Sequence, residues 1–254
     1  MNIMQRIRCY SICLLLFCFS LPAWSSERPD VRVGYIEFPP MFSTVNGKPE
    51  GILLEIGRGI YQQLGLSYSE TSFPVKRLFK NLNSGLTDVW YGIKIDSLKE
   101  GSLIGTQPIY HIELRAYSLQ PGVSVSKKED LVGKKVILIL GYSYSQWGSF
   151  IRNPDSGVTY VEVKSHKQAL KMLKTGRFDY LLNYRYPVEQ ALEQQPLDNL
   201  FHRTLSKLPV FFYVSRKYPN AEQMLEQLDE TFRQLARQGR FQFLTPEVVQ
   251  ALIK

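Results

Sequence analysis

The stretch PVKRLFKNLNSGLTDVWY, residues 74–91, decides the fold. Its apolar residues have the spacing of one helix face: Val75, Leu78, Phe79 and Leu82. Pro74 suits the first turn of a helix and Gly85 ends one, so the first part predicts a helix. Residues 88–91, Asp-Val-Trp-Tyr, then predict a short strand. A helix that leads through a glycine into a strand is the unit of an alternating α/β chain.

The same alternation extends in both directions from this stretch. Before it, the sequence predicts a strand at 31–35, a helix from Ile52 to Gly65 and a strand at 66–71. After it come predicted strands at 112–119, 135–140, 158–163, 178–182 and 210–214. Predicted helices begin at Gly141 and Ser143, at the capping box Ser165–Gln168, at Pro187, and at Asn220 with Gln223. The chain is therefore predicted to be an α/β protein with mostly parallel strands.

The first 25 residues have the three parts of a secretory signal peptide. Arg6 and Arg8 give a positive start, an apolar run follows at 10–21, and Ala23 and Ser25 are small residues before a cleavage site. The apolar run has about 12 residues, against roughly 20 that a membrane-spanning helix needs. We therefore expect cleavage after Ser25, export, and a mature chain of about 229 residues.

Cysteine and charge limit what the mature chain can do. The three cysteines, Cys9, Cys13 and Cys18, all lie in the signal peptide, so no disulfide or cysteine-based metal site is expected after cleavage. Cleavage leaves 29 basic and 23 acidic residues, a net charge of +6 that is spread along the chain. No basic-aromatic motif for nucleic acid is present, and we expect no nucleic-acid partner.

Five short motifs follow one another in the order and spacing of a known family. They are VGYIEFPP (33–40), NGKPEG with the following Glu55-Ile56 (46–56), LNSGLTD (82–88), DLVGKKV with GYSY (130–144) and KTGRFDY (174–180). On these motifs the chain resembles the periplasmic solute-binding proteins of family 3, which serve polar amino acid ABC transporters. The resemblance covers residues 31–244, nearly the whole mature chain.

The resemblance implies a two-lobed periplasmic-binding-protein-like fold of type II, with two crossover strands at a hinge. Lobe one would hold residues 27–119 and 211–254, and lobe two residues 120–210. The turn at Pro121-Gly122 and the strand 210–214 lie where the chain should cross between the lobes. A small solute would bind in the cleft, and the lobes would close on it.

The resemblance also implies a binding site, from which this sequence departs twice. The family's carboxylate-binding arginine corresponds to Lys99, which keeps the charge without the bidentate fork. The family's acidic partner for an α-amino group corresponds to Tyr184, which is neutral. Ser143, at a predicted helix start, is the expected contact for an anion or a plain helix cap. The solute is therefore left open between an amino acid and a carboxylate or aromatic compound without an amine.

Aromatic residues, Tyr110 among them, recur where the family has its cleft. Tyrosine and tryptophan offer a flat apolar face with a polar group, suited to stacking on a ring or surrounding a cation. The expected aromatic contacts are Tyr35, Phe38, Trp90, Tyr91, Tyr142, Tyr144 and Tyr184. Arg77 lies in a first helical turn, where a cation opposes the helix dipole, so we expect a cleft anion or a surface ion pair beside it.

The predicted function is capture of a small polar solute in the periplasm, by a monomer, for an inner-membrane ABC permease. An orphan protein that supplies a sensor is the first alternative. A second is a dehydratase of the same fold acting on prephenate-like acids, for which Glu37, Glu55 and Lys99 are the available acids and bases. The three histidines show no ligand spacing and are expected to be surface or packing residues. We expect no cofactor, no metal and no catalytic residue.

Overall fold

A mixed nine-stranded sheet organises residues 31–241, the part of the chain that the computed structural model describes. The predicted signal peptide, residues 1–25, lies outside the described residues. The strands are β1 (Val31–Tyr35), β2 (Ser43–Val45), β3 (Lys48–Glu50), β4 (Tyr68–Ser72), β5 (Val89–Gly92), β6 (Ser102–Ile104), β7 (Tyr110–Ser118), β8 (Lys135–Ile139), β9 (Thr159–Val163), β10 (Tyr180–Tyr184) and β11 (Phe201–Ser215). The α-helices are α1 (Ile52–Leu64), α2 (Val75–Ser84), α3 (Ser145–Arg152), α4 (His166–Lys174), α5 (Arg185–Gln194) and α6 (Ala221–Arg237).

Two long antiparallel strands, β7 and β11, join the two lobes. The strand order is β4-β1-β5-β11-β7-β10-β8-β9, with β6 also paired to β11. On one side β1 runs parallel to β4 and β5, and on the other β8 runs parallel to β9 and β10. The predicted α/β class is therefore confirmed. The prediction of mostly parallel strands is wrong, because every pairing of β7 and β11 is antiparallel. The predicted lobe boundaries fall just after β7 and inside β11, and they stay a prediction.

Strand β11 is three times longer than the sequence predicted. Its last part, predicted as 210–214, pairs with β5 and β6 in one lobe and is buried. The first part, from Phe201, pairs with β7 and is mostly exposed or half-buried. An exposed segment carries no apolar run, so hydrophobic periodicity detects only the buried end of this strand.

The opening stretch and its counterpart in the other lobe form the same local structure. Gly85 ends α2 at φ 77°, a left-handed conformation that strains other residues. Three residues later, Asp88 Oδ2 accepts the backbone N–H of Arg32 at 2.8 Å. In the other lobe Asp179 Oδ2 accepts the backbone N–H of Lys135 at 2.7 Å. In each lobe the aspartate therefore fastens the start of a neighbouring parallel strand.

Three predicted helix starts have different outcomes. Ser165 caps α4 as expected, because its Oγ accepts the N–H of Gln168 at 3.2 Å. Asn220 precedes α6 with φ 53°, but its side chain makes no capping hydrogen bond, so the capping prediction there is wrong. The start predicted at Gly141 and Ser143 is also wrong. Residues 141–144 form a turn, and α3 begins only at Ser145, because Tyr144 is left-handed at φ 57°.

Helices cover both faces of the sheet and complete the core. In one lobe α1 and α6 pack on the sheet around Ile60, Leu228 and Phe232, which are fully buried. In the other lobe α4 packs on β8 and β10 through Leu170 and Leu173. Across residues 31–241 we find no helix whose length and apolar character would let it cross a membrane.

Candidate functional site

A cavity lies between the two lobes. It is lined by the residues after β1, the start of α2, the end of β5, the turn before α3 and the end of β10. One residue from each connecting strand completes it. The lining residues are Ile36, Phe38, Phe42, Leu53, Val75, Phe79, Trp90, Tyr91, Gly92, Ile93, Ile95, Ile112, Gly141, Tyr142, Ser143, Tyr184 and Val210. Because both lobes contribute lining residues, the size and shape of the cavity depend on the distance and angle between the lobes.

Phe38 connects the lobes across this cavity. It follows β1 in one lobe, and its ring lies 5.5 Å from the ring of Tyr142 and 5.3 Å from that of Tyr184 in the other. The second contact is edge-on, with an interplanar angle of 76°. Edge-to-face packing at this spacing is favourable for aromatic rings. Phe38 thus provides apolar contact between the two lobes at the cavity.

Tyr142 belongs to a chain of hydrogen bonds that leads away from the cavity. Its hydroxyl lies 3.3 Å from Nε2 of His166, and Nδ1 of His166 lies 2.9 Å from the amide nitrogen of Asn183. The amide oxygen of Asn183, a fully buried residue, accepts the N–H of Tyr184 at 2.8 Å. Burial lowers the pKa of His166 to about 4, so the imidazole is neutral near pH 7.

Tyr184 forms the back wall of the cavity in lobe two. Its ring stacks on Tyr144 at 5.7 Å and 9°, and burial raises its pKa, so the phenol stays protonated. Ser143 and the backbone of Tyr144 lie beside its hydroxyl and partly oppose this rise in pKa. Arg152 holds the same turn, because its guanidinium donates to the carbonyl oxygens of Tyr142 and Ser143 at 2.8 and 3.3 Å.

Trp90 and Tyr91 end β5 beside the cavity, but they differ in what they offer. The hydroxyl of Tyr91 lies 2.6 Å from that of Tyr61 beneath α1, so its polar end is already used. The Trp90 ring packs between Phe79 and Tyr213, and its indole N–H is buried without a partner among the described residues. An unpaired buried N–H costs about 1–3 kcal/mol, which a ligand acceptor would offset.

The structure brings six of the ten predicted contacts to the cavity: Phe38, Trp90, Tyr91, Tyr142, Ser143 and Tyr184. The other four lie outside its lining. Tyr35 is buried on Phe42 with its hydroxyl 2.8 Å from Thr44, and the hydroxyl of Tyr144 accepts the N–H of Ile139. Arg77 is exposed on α2. Lys99 is 74 % exposed and pairs with Asp96 at 2.6 Å.

None of the residues that line the cavity carries a charge. The carboxylate of Glu37 lies near Tyr142 but accepts hydrogen bonds from Thr44 and Ser72 at 2.6 and 2.9 Å. The guanidinium of Arg152, behind Tyr144, pairs with Glu162 at 2.8 Å. In residues 31–241 no group of three or more histidine, cysteine or acidic side chains is placed to hold a metal ion. The cavity therefore presents apolar surface and a few neutral hydrogen-bonding groups.

No sequence pattern points to His166, Asn183 or most of the aliphatic lining. The sequence predicts His166 as a surface or packing residue, but it hydrogen-bonds to a cavity tyrosine. It directly follows the helix cap Ser165, and no spacing in the sequence connects it with Tyr142. Asn183 precedes Tyr184 in β10 and carried no signal of its own.

The buried histidine makes protein stability depend on pH. Its pKa is about 4 in the folded protein against an ordinary 6.5, so between these values the unfolded chain binds the proton more tightly. Stability should therefore fall as the pH falls from about 6.5 to 4, by on the order of 1–2 kcal/mol after allowing for partial exposure. Urea unfolding at several pH values, compared with His166→Phe, isolates this effect from the carboxylates. If the free energy of unfolding changes with pH equally in the wild type and in His166→Phe, this prediction is contradicted.

No protein-family model and no curated protein sequence matches this chain. Solved structures do. A histidine kinase sensor domain with similarity to periplasmic binding proteins has a TM-score of 0.70 and 22% identity, over 88% of this chain and 95% of that one. An ancestral arginine-binding protein bound to arginine has a TM-score of 0.67 and 21% identity, over 89% and 99%.

A third similar structure is an ABC uptake transporter substrate-binding protein from Streptococcus pneumoniae with bound histidine. Its TM-score is 0.65, with 18% identity over 87% of this chain and 90% of that one. At such identities the likeness concerns the fold. The chain has the two-lobed periplasmic-binding-protein fold that the sequence motifs predicted, and the cavity lies between its lobes.

Proposed function

We propose that this protein is an exported solute-binding protein that captures one small solute between its lobes in the periplasm. The observation that carries the proposal is the cavity itself, whose lining comes from both lobes and from both connecting strands. Such a cavity changes shape when the lobes move, which couples binding to closure.

The structural neighbours support binding rather than catalysis. Two of them are named for binding arginine or carrying histidine, and one is a sensor domain. Two of the acids and bases that a dehydratase would use lie elsewhere, since Glu55 pairs with Arg58 and Lys99 with Asp96. The third, Glu37, already accepts hydrogen bonds from Thr44 and Ser72. We therefore propose that the protein has no catalytic activity. A spectrophotometric assay with prephenate and arogenate tests this, and product formed at a rate proportional to protein concentration would contradict it.

As partner we propose an inner-membrane ABC permease, with the binding protein acting as a monomer. The signal peptide predicted at residues 1–25 supports the periplasmic location, and the ABC transporter neighbour supports the partner. For the lobes we propose the boundaries that the sequence suggests, 27–119 with 211–254 and 120–210.

A protein that supplies a sensor is the second candidate, because one similar structure is a kinase sensor domain. Pull-down of the ligand-bound protein with permease or with sensor ectodomain separates the two.

Saturable binding of one solute per chain is the expected result for the mature protein, residues 26–254. A panel of amino acids, carboxylates, amines and neutral aromatic compounds is screened by thermal shift and then by calorimetry. A ligand at 100 times its dissociation constant should stabilise the fold by about 2.7 kcal/mol, which raises the melting temperature by several degrees. In the variant Trp147→Phe the remaining tryptophan of the mature chain is Trp90, so its fluorescence reports on binding at the cavity. Absence of binding across the whole panel would overturn the proposal.

A further inference from the structure

We infer that the cavity takes an uncharged, ring-bearing solute and that the Tyr142 hydroxyl donates a hydrogen bond to an acceptor atom on it. The inference rests on the solute-binding function proposed above and specifies the class of solute. It follows from three features: the charge of the lining, the direction of the Asn183–His166–Tyr142 hydrogen bonds, and the unpaired N–H of Trp90.

The first feature is the absence of charged side chains among the residues that line the cavity. An amino acid brings an ammonium and a carboxylate, and burying either without a partner is costly. By the family resemblance Tyr184 corresponds to the acidic partner of an ammonium, and it stays neutral because burial raises its pKa. Lys99, which corresponds by the same resemblance to the carboxylate-binding arginine, is exposed and pairs with Asp96 outside the cavity. A solute that carries no charge avoids both costs.

The second feature is the hydrogen-bond chain, whose direction is fixed at its buried end. The backbone N–H of Tyr184 can only donate, so the atom of Asn183 that faces it is the amide oxygen. The amide nitrogen of Asn183 then donates to Nδ1 of His166. A neutral imidazole that accepts at Nδ1 carries its proton on Nε2. Nε2–H therefore donates to the oxygen of Tyr142, and the Tyr142 proton remains to be donated elsewhere.

The third feature is the indole N–H of Trp90, which is buried without a partner in the described part of the chain. Trp90 lines the cavity opposite the lobe that carries Tyr142. Each side of the cavity thus has a lining residue, Trp90 or Tyr142, with a donor proton that no described residue accepts. A cation offers no lone pair to either donor, so a neutral compound with acceptor atoms suits this lining better than an amine. The rings of Phe38, Tyr142 and Tyr184 and the surrounding aliphatic side chains favour a flat, apolar body for it.

Four probes with one benzyl body test the charge: phenylacetamide, phenylacetate, phenethylamine and L-phenylalanine. At pH 7 they are neutral, anionic, cationic and zwitterionic. We expect phenylacetamide to bind at least about 10-fold more tightly than each charged probe. Tighter binding of any charged probe, or of a charged amino acid from the wider panel, overturns this inference and leaves the solute-binding function standing. Failure of the four probes and of the whole panel removes both.

Two substitutions test the donor. Tyr142→Phe keeps the ring and should weaken binding of phenylacetamide about 10-fold, the value of one hydrogen bond. The matched control is Tyr110→Phe, which removes a hydroxyl that contacts Tyr186 outside the cavity and should leave affinity unchanged. Equal affinity of Tyr142→Phe and wild type would show that the hydroxyl is not the donor.

His166 is a positioning residue in this scheme, so its test is a double-mutant cycle. His166→Phe keeps an aromatic ring beside Tyr142 without a hydrogen bond and should weaken binding several-fold in the wild type. In the Tyr142→Phe background the same change should have almost no effect, because the group that His166 orients is already gone. A purely structural His166 would give the same loss in both backgrounds. Circular dichroism spectra and melting temperatures confirm that each variant is folded at the assay temperature.

Discussion

Replacing Asp88 with alanine is expected to lower the free energy of unfolding by about 3 kcal/mol, because hydrogen bonds to a charged group contribute about 1.5–3 kcal/mol and several are lost together. Asp88 is 3 % exposed and accepts the backbone N–H and the Nε–H of Arg32, both at 2.8 Å. A second guanidinium nitrogen lies 2.6 Å from Oδ1. Alanine leaves these donors in a partly buried place without their acceptor.

The equivalent change in the other lobe provides a matched comparison. Asp179 accepts the backbone N–H of Lys135 in an exposed setting, so Asp179→Ala should cost only about 1 kcal/mol. Urea unfolding followed by tryptophan fluorescence measures both, since Trp90 lies in one lobe and Trp147 in the other. Equal losses for Asp88→Ala and Asp179→Ala would mean that the ion pair with Arg32 adds nothing to the fold.

These two aspartates show how far the sequence predicts the fold. The glycine that ends each helix and the strand that follows are local features, and the pattern of residues 74–91 predicted them correctly. The partner of each carboxylate is a backbone N–H at the start of another strand, 56 residues away for Asp88. No local sequence pattern identifies a hydrogen-bond partner that lies so far along the chain. Local conformation is therefore readable from this sequence, and the contacts that fix neighbouring strands are not.

The elements that were predicted wrongly depend on backbone conformations that the residue types do not favour. Tyr144 and Asn220 both have positive φ, at 57° and 53°, immediately before a helix. An aromatic residue seldom adopts that conformation, so the turn at 141–144 had no sequence signal, and Ser143 looked like the helix start. At Asn220 the left-handed backbone replaces the extended one that a capping side chain requires.

The candidate site was predictable in composition but not in orientation. The aromatic pattern predicted a cleft rich in tyrosine, and Tyr142 and Tyr184 do line the cavity. Tyr144, two residues from Tyr142, turns its hydroxyl to the N–H of Ile139 beneath the turn. Which way each side chain points depends on the turn before α3 and on packing between lobes. The neutral character of the site follows from those orientations, and no composition analysis supplies it.

Gly92→Val is expected to weaken solute binding by at least about 100-fold, because it forces an aromatic ring into the cavity. Gly92 lines the cavity at the end of β5, and a Cβ built on it would lie within 2.7 Å of the Trp90 ring. That ring is held between Phe79 and Tyr213 at centroid distances of 5.2 and 5.1 Å. With both neighbours packed against it, the space available to the displaced ring is the cavity. Calorimetry with the solute found in the panel measures the loss.

The control is a second glycine substitution whose new side chain clashes with its neighbours to a similar extent but lies outside the cavity. Gly34 lies in β1 of the same lobe, and a Cβ there would clash first with the side chain of Leu78 and then with that of Thr87 at 2.8 Å. Gly34→Val should therefore destabilise the fold by about 1–3 kcal/mol, as overpacking does, and still bind the solute with nearly wild-type affinity. Adding Trp90→Phe to Gly92→Val, which shrinks the displaced ring, should restore part of the affinity. If Gly92→Val and Gly34→Val lose affinity equally, general destabilisation explains the effect, and the solute does not occupy the space beside Trp90.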